Sequence, residues 1–308
     1  MCIFSLPVLS IGDTRIFARL SGSGTQFLVY QMTYESATEN AMILPIPVRQ
    51  DAKEDSLRFI NLEEYGGFFE SLDSGFPVIG NFSIGCGGFA RNDSKDNIRV
   101  QEVGSYVASF VPSLDDFDRL DERFVLPREI WNQIPNYKDF GFAVFQLKDG
   151  NREPHPMAFE FETRNEKELF FPTVHIHDGE VHEQERFDHV LYMQHAGLDS
   201  RTGSYVDADV RDRSTGVIRS DRIASEFCNI HKTQGVVQAD LLVHRQLVIG
   251  EHENVDYTFA ALGHPTIRSF NWRPLQRWWP WVAVVGCVGW FFARRGRLKS
   301  RSAEESSN

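Results

Sequence analysis

What this chain lacks narrows it first. It has four cysteines in 308 residues and no C-x-x-C pair, which excludes a disulfide scaffold and the usual zinc ribbons. It has no basic excess: 32 Lys and Arg stand against 43 Asp and Glu, a net charge of -11. A body of that sign does not neutralise phosphates, so nucleic acid is not among its partners. Signatures of the common catalytic classes are missing as well: G-x-S-x-G, H-E-x-x-H and the kinase motifs do not occur. No internal repeat or low-complexity tract stands out. The first ten residues, MCIFSLPVLS, have no Lys or Arg, and Pro7 interrupts their apolar run, so no signal peptide is read there.

What is present is an ordinary globular composition, 42% hydrophobic and 24% charged, ending in an unusual tail. Residues 278–293, WWPWVAVVGCVGWFFA, run for sixteen residues without a charge. As a helix they would reach about 24 Å, against roughly 30 Å of hydrocarbon. Trp278, Trp279 and Trp281 at one end and Trp290, Phe291 and Phe292 at the other match aromatic belts, and Arg277 and Arg294 bracket the run. From residue 294 the chain carries five basic and two acidic residues, +3; the residues before it carry 27 and 41, -14. The expectation is a C-terminal apolar helix that makes a single membrane span. The basic tail argues for an exported body by the positive-inside rule. The missing signal and the unpaired cysteines argue for a body facing the cytoplasm, which is the reading adopted.

The body reads as β-rich α+β with mainly antiparallel sheets and a few short helices. Residues 14–20 and 25–33 alternate around a Ser-Gly-Ser-Gly turn, and residues 41–48 (AMILPIPV) make a third strand. Pro45 and Pro47 cannot donate to a ladder, so the end of that strand should lie at an edge or leave the sheet. Residues 99–111 and 141–147 read as strands; 61–72, 113–120, 127–134 and 219–229 read as short helices. Residues 158–163 alternate cleanly, and residues 199–215 read as an exposed loop. Residues 169–177 and 181–193 flank Asp178-Gly179 as a hairpin, and 241–249 pairs with 256–262 around Gly250. The division this suggests is a β-rich unit over 1–150, a second over 151–270, and the apolar segment and basic tail over 271–308.

Three segments carry a resemblance. Cys2 near the start, ARLSGSGTQFLVYQMTYE from Ala18 with NAMILPIPVRQ from Asn40, and EVGSYVASFVPSLDDFDRLDERFVLP from Glu102 resemble a bacterial family of unknown function. Its members have an early Cys-x-Phe, a Pro-Val/Ile-Pro strand, and a Gly-Tyr strand leading into an acidic helix. The resemblance covers the first half of the chain. It implies an extracytoplasmic domain behind a signal, which this sequence departs from, and it implies no activity.

Five histidines fall within 21 residues: His175, His177, His182, His189 and His195. On an extended segment His175 and His177 share a face, because side chains repeat every second residue. Across the Asp178-Gly179 turn His182 could join them, giving a site for a divalent transition metal such as zinc, iron or nickel. The bland alternative is a polar hairpin tip. Cys2 is a second candidate: removal of Met1 would expose a thiol beside its own α-amino group, the nucleophile pair of N-terminal-nucleophile amidohydrolases. Against this, that fold needs long amphipathic helices, and Ile3 stands where the amidotransferase start has Gly. The glycine-rich patch around Cys86 (residues 83–89) lacks a phosphate-loop Lys, and the acidic run Asp115, Asp116, Asp118, Asp121 and Glu122 lacks EF-hand spacing. The functional expectation is a membrane-anchored binding module with an unidentified protein partner. The alternative is a metal-dependent enzyme or metal-binding protein using the His hairpin, or an amidohydrolase using Cys2.

Overall fold

The computed structural model describes residues 3–77, 101–104, 106–121, 124–206, 216–260 and 263–267. The chain divides into two compact units, Met1–Arg268 and Ser269–Asn308, and the described residues all lie in the first. The expected C-terminal helix, with Trp278, Trp279, Trp281, Trp290, Phe291 and Phe292, lies outside the described residues, as do Cys2 and the patch around Cys86. Among the described residues no helix is long and apolar enough to cross a membrane.

Strands dominate: β1 (Ile3–Phe4), β2 (Ser10–Leu20), β3 (Thr25–Ser36), β4 (Asn40–Ile46) and β5 (Leu57–Asn61), then helix α1 (Phe68–Asp73). After it come β6 (Gln101–Val103), β7 (Tyr106–Val111), helix α2 (Arg128–Gln133), β8 (Gly141–Leu147), β9 (Gly150–Arg152) and β10 (Met157–Glu162). The chain continues with β11 (Glu168–Phe171), β12 (Gln184–Gln194), β13 (Gly203–Ser204), β14 (Ile218–Ile223), β15 (Leu242–Glu253) and β16 (Tyr257–Ala260). One sheet has the order β1-β4-β8-β7-β6. The other runs β13-β14-β15-β12-β2-β3-β10-β5, with β9 added beside β3, and β11 pairs only with β16. The pairs are antiparallel except β12 with β2 and β13 with β14.

Both sheets are covered on both faces, which explains their nearly continuous apolar strands. Side chains alternate between two cores along each strand. Ile16, Ala18, Leu28, Tyr30 and Phe159 of the large sheet meet Met42, Leu44, Ala143 and Phe145 of the small one in a central layer. Their neighbours Phe17, Val29 and Ala158 face outward, beneath Phe68, Phe69 and Leu72 of α1. On the far side of the small sheet Ile43, Phe142 and Val144 pack against Phe117, Trp131 and Tyr137. Phe142 sits 5.0 Å from Phe117 and 4.9 Å from Trp131, in edge-on geometry.

Several expectations hold and several do not. Residues 141–147 are a strand, and the turn after Leu20 joins β2 to β3. Pro45 still pairs with Phe142, but β4 ends at Ile46, and the chain beyond it leaves the sheet: Pro47 O accepts from Arg164 N at 2.9 Å and Val48 bridges Thr163. The stretch read as one strand over 99–111 is instead a hairpin, β6 to β7, turning at Gly104 with φ 63°. The stretch read as a helix over 219–229 begins as β14, held against β15, and only Ala224–Glu226 within it makes a short helical turn. The two expected hairpins also fail to pair internally: β11 takes β16, while β12 takes β15 and β2. The division at residue 150 separates nothing, because β2, β3 and β5 share a sheet with β10, β12, β14 and β15.

Candidate metal centre

Residues 172–177 leave the sheet after β11 and run extended, held by one bridge, Ile3 to Ile176. Alternation along this stretch puts Val174 and Ile176 into the outer core of the small sheet. His175 and His177 take the other side, their rings 6.3 Å apart. The chain then turns through Gly179, at φ 88°, and enters β12. There Glu185, Phe187 and His189 alternate onto one face.

His175 is fully buried, and neither ring nitrogen has a hydrogen-bond partner among the described residues. Its ring lies 4.3 Å from that of Phe187 and 5.2 Å from that of His189, nearly parallel to the latter. The buried Nδ1 of half-exposed His177 also lacks a partner there. Ligand atoms of His175, His177 and Glu185 all lie within 4.8 Å of one another. Two ligands of a tetrahedral zinc ion stand about 3.4 Å apart, given bonds of ~2.05 Å. Burial is the main cause that pushes the His175 imidazole far below its ordinary range, so it stays neutral. A neutral imidazole is the form that binds metal.

His182 is placed elsewhere. Its Nε2 meets Asp178 Oδ2 at 2.8 Å on the exposed turn, and that bond raises the His182 pKa. At Asp178 slight burial works the other way, but the bond from His182 and the Glu180 N–H bring the carboxyl below its usual range. The third member beside His175 and His177 is thus Glu185. Its signal was present in the sequence, since Glu185, Phe187 and His189 share the period-two face; the turn signal at Asp178-Gly179 drew attention to His182 instead.

The remaining histidines of the run have other work. His189 is buried beside His175, with Asp188 at 3.6 Å. His195 Nδ1 accepts from Gly197 N at 3.0 Å and caps the short helical turn Ala196–Leu198. Burial, with His244 next, holds His195 at about 4, which keeps that nitrogen free to accept. His244 Nε2 lies 3.3 Å from Asp199 Oδ1, both side chains buried. In the acidic run, Asp116 pairs with Arg119 and Asp118 with Arg128 at 3.2 Å each, as a solvated face would.

No family model matches the chain, and no curated protein matches it. Among solved structures, baculovirus P35 is similar at 14% identity over 85% of this chain and 100% of that one, with a TM-score of 0.44. A mutated baculovirus P35 after caspase cleavage, in a 2.7 Å crystal structure, gives 14% over 82% and 100%, with a TM-score of 0.43. The caspase-8/P35 complex gives 13% over 82% and 97%, with a TM-score of 0.38. Likeness at this level assigns no activity.

Proposed function

We propose that the chain is a binding protein that holds one divalent transition metal at His175, His177 and Glu185. The observation that carries this is His175: a fully buried imidazole with both nitrogens unpartnered among the described residues. Leaving buried polar atoms unmade costs stability, about 1–3 kcal/mol for a group. Two imidazoles and a carboxylate suit zinc, and also iron(II) or nickel. Three ligands from one chain leave a tetrahedral ion a fourth position for water or another small donor.

The test is elemental analysis of the purified full chain after zinc loading and desalting, with melting curves for wild type and the double variant His175→Ala/His177→Ala. One zinc per chain and a zinc-dependent rise in Tm for the wild type alone support the reading. Equal responses from the two proteins refute it.

A membrane tether completes the proposal. Its support is the uncharged run over 278–293 with aromatic ends and a basic flank. The tether would leave the body on the cytoplasmic side. Retention in the membrane pellet after a carbonate wash, with the body protected from protease in intact spheroplasts, supports it. Release by carbonate counts against the tether, and digestion in intact cells against the orientation.

A further inference from the structure

The ligand-bearing stretch has little ladder to hold it, yet a metal site needs its ligands fixed before the ion arrives. Four of its backbone groups, and the carbonyl of His182 beyond the turn, are taken by two side chains from the connection between β15 and β16. Asp256 Oδ1 accepts from Thr173 N at 2.8 Å and Val174 N at 3.2 Å, while its Oδ2 accepts from Tyr137 Oη at 2.7 Å. Asn254 does the rest. Its Oδ1 accepts from His175 N at 2.7 Å, and its Nδ2 donates to His175 O at 3.0 Å and to His182 O at 2.9 Å. In addition, the Asn254 backbone N–H donates to Glu183 O at 2.9 Å.

One carboxamide therefore holds both amide faces of His175 and the carbonyl of His182, three residues before Glu185. We infer that Asn254 is the positioning residue of the metal site, setting the distance between the segment that carries His175 and His177 and the start of β12 that carries Glu185. The inference rests on the proposed metal site. It adds that affinity depends on a side chain that never touches the ion. An Asn is suited to this because its planar carboxamide offers one acceptor oxygen and two N–H donors, one donor more than a peptide group. Asp at this position keeps the bond from His175 N and loses both donations.

Zinc affinity is measured by competition with a chromogenic chelator, and Co(II) absorption reports ligand geometry. The proteins are the full-length wild type, Asn254→Ala, Asn254→Asp and Gln26→Ala. Gln26 is the control: it makes the same two-way clamp on Phe170, at 2.8 and 3.0 Å, away from the site. Both Asn254 variants are expected to bind zinc roughly 10–100-fold more weakly, the usual cost of losing outer support, and to shift the Co(II) bands. Gln26→Ala should lower Tm and leave affinity and spectrum unchanged. If Asn254→Ala does not fold, Asn254→Asp decides alone. Wild-type affinity in a folded Asn254 variant overturns the inference, and so does an equal loss in Gln26→Ala. Failure of the wild type to bind zinc at all is seen before any variant and overturns the metal reading itself.

Discussion

Four side-chain amides in this protein do the work of missing backbone. Asn40 bonds both Leu6 N and Leu6 O, at 3.0 and 2.8 Å. Gln194 bonds Gln238 in both directions, at 2.8 and 3.0 Å. Gln26 does the same for Phe170, and Asn254 for His175. Asn40, Gln26 and Gln194 are fully buried, so truncating one strands backbone groups away from water. Gln26→Ala should cost about 2–4 kcal/mol in urea denaturation, from two orphaned groups at ~1–2 each; a loss below 0.5 kcal/mol would show that water or a shift replaces the clamp. His175 presents the opposite case, a buried polar group whose ring nitrogens have no hydrogen-bond partner among the described residues. His175→Leu should stabilise the metal-free protein by about 1 kcal/mol while removing its response to zinc. A destabilised His175→Leu protein would mean that the imidazole serves packing alone.

Among the elements, local signals succeed where the pairing partner is near in sequence. The residue pattern over 141–147 reads as a strand and is one, and β2 and β3 follow from alternation around a glycine turn. Gly104 was legible only as a residue inside a strand, although it closes the hairpin at φ 63°. A Cβ there would meet His155 Nε2 at 2.5 Å and Glu63 Cβ at 2.9 Å. Gly104→Ala should therefore cost about 1–3 kcal/mol by thermal denaturation, from backbone strain and crowding together. A neutral substitution would show that the turn relaxes freely. The two hairpin misreadings have one cause. Asp178-Gly179 does turn, and Gly179 has positive φ, but its flanks pair with β16 and β15, 51 to 92 residues away. A turn signal states that the chain bends and not which strands then meet. Hence the sequence exposed His175 and His177 as neighbours and set Glu185 on one strand face with His189, but concealed that Glu185 and Asn254 meet them, which follows from the long-range ladders.

At the scale of the whole molecule, three apolar layers around two sheets explain why so few strands show clean alternation. They also bury histidines that must stay neutral. His195 is held at about 4 and His155 below its ordinary value, both chiefly by burial. The unfolded chain takes up protons near pH 6.5 that the folded chain refuses until lower pH, so stability falls as pH drops through that window. For His195 the fall between pH 7 and 5 is about 2 kcal/mol. His195→Asn, which keeps an acceptor for Gly197 N, should flatten the pH dependence of the urea midpoint; an unchanged slope would place the effect elsewhere. The tail is expected to act as a separable tether. Deletion of residues 271–308 should move the protein from the membrane pellet to the soluble fraction with the Tm of the body unchanged, and a deleted protein still in the pellet would refute the tether.

The central claim is that a metal ion completes His175, whose ring nitrogens have no hydrogen-bond partner among the described residues. Isothermal titration of zinc into the chelator-treated full chain, beside His175→Ala, tests this most directly. The account predicts one site per chain in the wild type and none in the variant. Zinc binding of equal stoichiometry and affinity in both, or no binding by the wild type, would contradict it.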